Sequence, residues 1–288
     1  MTPAAGATAG CARESSVGEP KARFRDLTAA EWIKIRSLRS TAWGLLLAGS
    51  AVVALTTGAA WHRVRYWQNP GDVHPSLVAE EISLLDAFTS HAAMVLTLAS
   101  AVFGAVAVTG EYGSGLIRTT FTAVPARSAV VAAKAVVVAA VTALFGAVCA
   151  LASFAATQAV LRTMCEGIPP DHPSVLRLLT ASAMLAPVAA LAGLALGTLL
   201  RHGAATAVAC VAVLLLLPVV VSDDRHPTAL LAHALPFEAW SRLALVESMV
   251  PDGAVAYPWS TAGAWTVYVV WSVVSVAVAA TVVHHRDQ

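Results

Sequence analysis

Few groups in this chain could do chemistry, and the densest set lies in Gly110–Arg127, GEYGSGLIRTTFTAVPAR. Glu111 and Tyr112 precede a Gly113-Ser114-Gly115 break, and Ile117 and Arg118 follow it. Gly110 can close a preceding helix in the left-handed conformation, and Ser114 can cap a new one. From Leu116 the chain reads as about two helical turns, halted before Pro125 because the residue ahead of a proline avoids helical geometry. Ile117, Phe121 and Val124 share one face, with Arg118, Thr119 and Thr122 on the remainder. Glu111 can pair with Arg118 or sit near the N-terminus of the new helix, where negative charge is favoured. Such a short amphipathic helix suits docking into the groove of a partner. The plainer reading is an interfacial helix that touches only lipid headgroups.

Other chemistry is excluded or weakly signalled. There is no G-x-x-x-x-G-K-[ST] phosphate loop, since the dipeptide Gly-Lys does not occur, so a P-loop ATPase is excluded. HExxH and GxSxG are also absent. His62, His74, His172, His226, His233, His284 and His285 are scattered without ligand-like spacing, so no metal site is expected. Cys11, Cys149, Cys165 and Cys210 form no CxxC pair and read as small packing residues. Asp86 and His91 are polar groups near an apolar span; Asp86 is expected at headgroup level and His91 bonded to a neighbouring helix. The basic N-terminal stretch adjoins a span, so anionic lipid explains it and nucleic acid is not an expected partner.

The elements that must position these groups are membrane helices. Hydrophobic residues make up 58% of the 288 and charged residues only 12%, against about 25% charged in soluble domains. Apolar runs near 20 residues recur, the length that crosses a bilayer as helix. The expected fold is all-α with six transmembrane helices, at about 42–61, 84–109, 128–160, 175–199, 203–221 and 260–283. Residues 1–26 are expected to be a disordered tail, followed by one domain over 27–288. No cleavable leader is expected, because the first apolar run starts only near Thr41.

A short helix is expected from Thr28, which has capping-box spacing to Glu31. Its Trp32, Arg36 and Arg39 fall on one side, as in a helix lying along a membrane interface. Lys134, near the start of the third span, is expected to snorkel to the nearby surface. Thr97, Ser100, Thr142, Ser153, Thr157 and Gln158 read as helix-to-helix glue, and Gly193 with Gly197 as a close-packing pair. Pro187 and Pro218 are expected to kink their helices. The stretches Ala229–Ala234 and FEAWSRLALVESMV are too short to span and suggest a re-entrant or interfacial pair.

Placing the N-terminus in the cytoplasm puts twelve of the eighteen Lys and Arg residues inside and six outside, as the positive-inside rule favours. Both termini and Gly110–Arg127 are then cytoplasmic, in a multi-pass protein of the cytoplasmic membrane.

Three stretches together resemble a known family. EWIKIRSLRST before span 1, VTGEYGSGLIRTTFTAVPAR, and AAKAVVVAAV opening span 3 look like the permease subunits of ABC-2 type ABC transporters, in their actinobacterial-like version. The sharpest element is EYxxGxIRxT, here Glu111, Tyr112, Gly115, Ile117, Arg118 and Thr120. The resemblance covers about residues 27–287. It implies an interfacial elbow helix carrying Trp32, Arg36 and Arg39. It also implies a cytoplasmic coupling helix, with Glu111, Tyr112, Gly115, Ile117 and Arg118 in coupling to an ATPase. The implied partners are a separate ABC ATPase subunit, a second permease chain (identical or a sister) and membrane lipids. This chain would bind no cofactor, hold no catalytic residue and have no metal; ATP and Mg would be bound by the ATPase. The implied activity is export of an unidentified substrate. The alternative from the residues alone is a non-transporting polytopic scaffold or assembly factor that recruits a cytoplasmic partner.

Overall fold

The computed structural model describes residues 23–37, 39–66, 84, 86–123, 126–163, 168–221, 226–244, 257 and 259–286. The protein is an all-α, multi-pass membrane protein. Six helical segments among the described residues are long and apolar enough to cross a bilayer. In chain order the elements are α1 (Phe24–Ser37), α2 (Arg39–Tyr66), α3 (Ser90–Ser114), α4 (Leu116–Ala123), α5 (Arg127–Leu161) and α6 (Pro173–Leu200). Next come α7 (Gly203–Val211), a π-helical stretch (Ala212–Leu216), α8 (Leu217–Val220), α9 (His226–His233), α10 (Pro236–Ala244) and α11 (Thr261–Arg286). The spans are α2, α3, α5, α6, the composite α7–α8 and α11.

Several expected boundaries move. The first helix starts at Phe24, not Thr28, so residues 24–26 are helical, while 1–22 lie outside the described residues. Thr28 is therefore no cap; its hydroxyl donates to the Arg25 carbonyl at 2.9 Å. The second span starts at Ser90, where the Thr89 side chain accepts from the Ala92 N–H at 3.3 Å. It continues through Gly110 and closes at Gly115, which holds the left-handed conformation at φ 73°. Helical geometry carries Glu111 and Tyr112 with it, so both belong to the span's last turns rather than to a connector.

α6 is the hub. In its most apolar window 72% of residues are buried, against 11% for α2. α6 touches α3 through small residues placed so that backbones meet. A Cβ on Gly104 would lie 1.9 Å from the Ala190 carbonyl oxygen, and one on Gly193 would lie 2.0 Å from that of Ala101. Gly197 instead meets a side chain, the Val108 Cγ1, which an added Cβ would approach to 2.6 Å. Glycine is required at these positions for space, which is how membrane helices gain close packing without a hydrophobic drive. A third contact of this type joins α5 to α6. Pro187 has no N–H, so the Ala183 carbonyl loses its helical donor. Gly146 of α5 comes against that carbonyl, where a Cβ would lie only 2.5 Å away. α6 runs continuously through Pro187.

Pro218 is accommodated differently. Ahead of it the helix widens to π geometry, and the Leu217 N–H donates to the Ala212 carbonyl five residues back. A π-bulge is one of the recognised ways a helix absorbs such a disruption. The threonines expected to glue helices together do not. Thr97, Thr142 and Thr157 donate to the carbonyls of Ala93, Val138 and Ser153 in their own helices, at 2.7, 2.7 and 2.8 Å.

α9 and α10 form a short pair wedged against α6 and α11. The Trp240 indole donates to Ser182 Oγ at 2.9 Å, and the Trp271 indole donates to the Ala234 carbonyl at 2.7 Å. Trp271 lies ten residues into α11, about 15 Å along its axis. The turn between α9 and α10 thus sits beside α11 about 15 Å from its first residue. Residues 222–225 and 245–256, which flank the pair, lie outside the described residues.

Replacing Gly104 or Gly193 with valine forces α3 and α6 apart. The expected result is a loss of at least about 3 kcal/mol, the upper range for overpacking, read as a lowered melting temperature or loss of the monodisperse peak in detergent. Gly58→Ala, where an added Cβ meets nothing within 4 Å, is expected to leave both unchanged.

Candidate functional site

The most charged interior site lies where α1 meets the ends of α3 and α5. Glu31 comes from α1, Glu111 from the last turns of α3 and Lys134 from the second turn of α5. The backbone dictates that they meet. Lys134 shares a stripe with buried Val130 and Val138, and Glu111 one with buried Gly104 and Val108, the spacing that stacks side chains on one helix face. Glu31 is 3% exposed, Lys134 5% and Glu111 8%.

Lys134 donates to Glu111 Oε1 at 2.8 Å, to the Ala107 carbonyl at 3.2 Å and to Glu31 Oε2. An ammonium has three donors and no acceptor, so all three are used. Lys34, one turn along α1, donates to Glu31 Oε1 at 2.6 Å and to Glu111 Oε1 at 2.9 Å. Two carboxylates and two ammoniums form a neutral quartet joining three helices. Lys34 is partly open to solvent. Burial alone would lower its pKa, but the hydrogen bonds and charges of Glu31 and Glu111 outweigh that and hold it above the ordinary 10.5. Its contribution is therefore complete below about pH 10.5 and is lost only as pH climbs through the raised value.

This arrangement corrects one expectation and adds partners to another. Lys134 does not snorkel to the surface; it turns inward to buried carboxylates. Glu111 pairs with Lys134 and Lys34. The Arg118 side chain, its expected partner, lies outside the described residues, as does that of Ile117. Glu31, read only as a capping-box residue, is the member that the sequence pattern misassigned. The available signal was charge inside an apolar helix: Lys134 is the only Lys, Arg, Asp or Glu in α5 beyond its first residue, and such a residue nearly always finds a counter-charge.

The remaining candidates surround the quartet. The Tyr112 ring lies under the Arg201 guanidinium, 4.8 Å from centroid to Cζ. Arg201 is the left-handed cap of α6 (φ 53°) in the tight turn to α7. α4 exists as an eight-residue helix, and Thr120 lines a void of about 10 Å³ together with Glu111, Lys134, Leu194 and Val283. That is room for about one water. On α1, Trp32, Arg36 and Arg39 (the last opening α2) are exposed, while Glu31 faces inward and Ile35 packs against the core. The helix is inverted relative to a soluble one, with its carboxylate inside and Trp32 and Ile33 outside.

At the opposite face lies Asp86, expected at headgroup level. It is buried, and Arg63 of α2 grips it with Nε–Oδ2 at 2.5 Å and Nη2–Oδ1 at 2.8 Å. His91 is exposed in the first turn of α3. No group of three metal-ligating side chains occurs among the described residues. No protein-family model matches the chain, and no curated protein matches it.

Removing one buried member of the quartet leaves an uncompensated charge. Lys134→Met is expected to cost about 3–5 kcal/mol. Lys34→Met, whose place water can take, should cost about 1 kcal/mol or less. Denaturation of the two variants in detergent checks this order; equal costs would contradict the geometry.

Proposed function

We propose that this chain is the permease half of an ATP-driven exporter of the ABC-2 type, working with a separate ATPase subunit and a second permease chain. In this reading α1 is the interfacial elbow, α4 the coupling helix, and both termini face the cytoplasm of a cell whose plasma membrane the protein spans. The charge asymmetry of the sequence supports that orientation. One observation carries the mechanism: α4 abuts the ion quartet through Thr120, and the quartet joins α1, α3 and α5.

Force arriving at α4 meets a rigid junction rather than a flexible loop. Gly115 lets the chain turn sharply between α3 and α4, while Glu111, one turn back, is held by two lysines. A push on α4 is therefore shared with the elbow and with two spans at once. Tyr112 extends the junction to Arg201 and so to the α6–α7 turn. Ile117 and Arg118 are assigned the contact with the ATPase. The chain has no phosphate loop of its own, so hydrolysis is assigned to the partner, which holds ATP and Mg.

The test is copurification. A tagged chain extracted in mild detergent is expected to bring down a nucleotide-binding protein whose ATP hydrolysis changes on reconstitution. Arg118→Glu should abolish both association and transport. Capture of a cytoplasmic protein without ATPase activity would instead support a scaffold, and unchanged docking by Arg118→Glu would remove α4 from the coupling role.

A further inference from the structure

Beside the quartet, α2 and α3 diverge and leave an apolar cleft of about 430 Å³. Its α3 wall runs from Val95 to Val106, about 17 Å along the axis. That is about half of the ~30 Å hydrocarbon core, the depth of one leaflet. The other wall is the first turns of α2, with Ser40, Thr41 and Gly44. Trp43 and Val106 are exposed beside it, so the cleft opens to the outside of the bundle.

The two ends differ in chemistry. The Ser40 and Thr41 hydroxyls lie at the end where α1 passes into α2. Arg36 and Arg39, within a turn of Ser40, are both exposed and have no acidic partner among the described residues. Half-exposed Trp32 on α1 marks the same level as interfacial. A second cleft, between α2 and α5, is larger at about 720 Å³, but its α2 wall runs from Ala42 to Thr57 and lacks the Ser40 and Thr41 hydroxyls.

From this pairing of a leaflet-deep apolar slot with a cationic, hydroxyl-bearing mouth, we infer that the α2–α3 cleft is a binding site for an anionic phospholipid. One acyl chain lies along Val95–Val106. The phosphate group meets Ser40, Thr41, Arg36 and Arg39. Charge complementarity favours this occupant, since Arg36, Arg39, Ser40 and Thr41 together offer cations and hydroxyls to one anionic headgroup. The site depends on membrane insertion alone, not on the transport reading.

Gly44 gives a direct test, because a Cβ added there meets nothing within 4 Å. Gly44→Leu directs a side chain into the cleft from an open Cβ position. Gly58, equally open but outside the cleft, provides the control Gly58→Leu. Delipidated full-length protein is titrated with dioleoyl phosphatidylglycerol or dioleoyl phosphatidylcholine and followed by native mass spectrometry. The unaltered chain is expected to retain one phosphatidylglycerol roughly thirtyfold more tightly than phosphatidylcholine, the order expected for two arginines near an anionic headgroup. Gly44→Leu should lose that binding with its melting temperature in lipid-free detergent unchanged, and Gly58→Leu should keep it. Arg36→Gln with Arg39→Gln should reduce phosphatidylglycerol to the phosphatidylcholine level. Equal retention of both lipids by the unaltered chain would overturn the assignment, as would full binding by Gly44→Leu. A change in oligomeric state by Gly44→Leu without loss of lipid would also overturn it, and would assign the cleft to a second copy.

Discussion

Everything on the α1 side of this protein depends on four charges cancelling where water is scarce. An isolated carboxylate or ammonium taken out of water is costly, and a buried pair adds little net stability even when well made. The quartet is therefore better understood as a constraint on geometry than as a source of stability. Lys134 has three donors and finds three acceptors, one of them a backbone carbonyl of α3. Small displacements of α1, α3 or α5 would strand a charge. Apolar contacts slide at little cost, but this one does not.

The second constraint is close backbone packing around α6. Gly104 against Ala190 and Gly193 against Ala101 are reciprocal: each helix supplies the glycine for the other's alanine. The exchange fixes the crossing point of α3 and α6 between the two pairs. With α6 central and α5 packed against it through Gly146, the three helices form the close-packed centre of the bundle. α2 and the α7–α8 span are far less buried.

Much of this was legible in the sequence, and the failures have physical reasons. The six spans follow from hydropathy, because a membrane helix must satisfy its own backbone and leaves a continuous apolar run. The tight α6–α7 turn at Arg201 and His202 followed from spacing, as did the close approach at Gly193. Helix ends did not: glycine at 110 and at 115 both suit a left-handed cap, and only packing of Glu111 against the lysines decides for the later one. The quartet was hidden because Glu31 and Lys134 lie 103 residues apart. The local pattern offered each a cheaper role, a capping box for one and snorkelling for the other. Threonines were misread for the opposite reason, since a hydroxyl one turn from a helical carbonyl needs no neighbour at all.

The order of the quartet's members along the chain has a consequence for biogenesis. Glu31 and Glu111 are both made before Lys134. When α5 leaves the ribosome its single interior lysine opposes partition into lipid, by about 2.5–3.5 kcal/mol at a helix centre and less near an end. The rest of α5 is apolar enough, at a mean hydropathy of 2.5 over its best window, to enter regardless. Its counter-charges are by then already waiting on α1 and α3. Reversing that order, as in a circular permutation that begins at α5, would present a bare ammonium to the bilayer before any carboxylate existed to receive it.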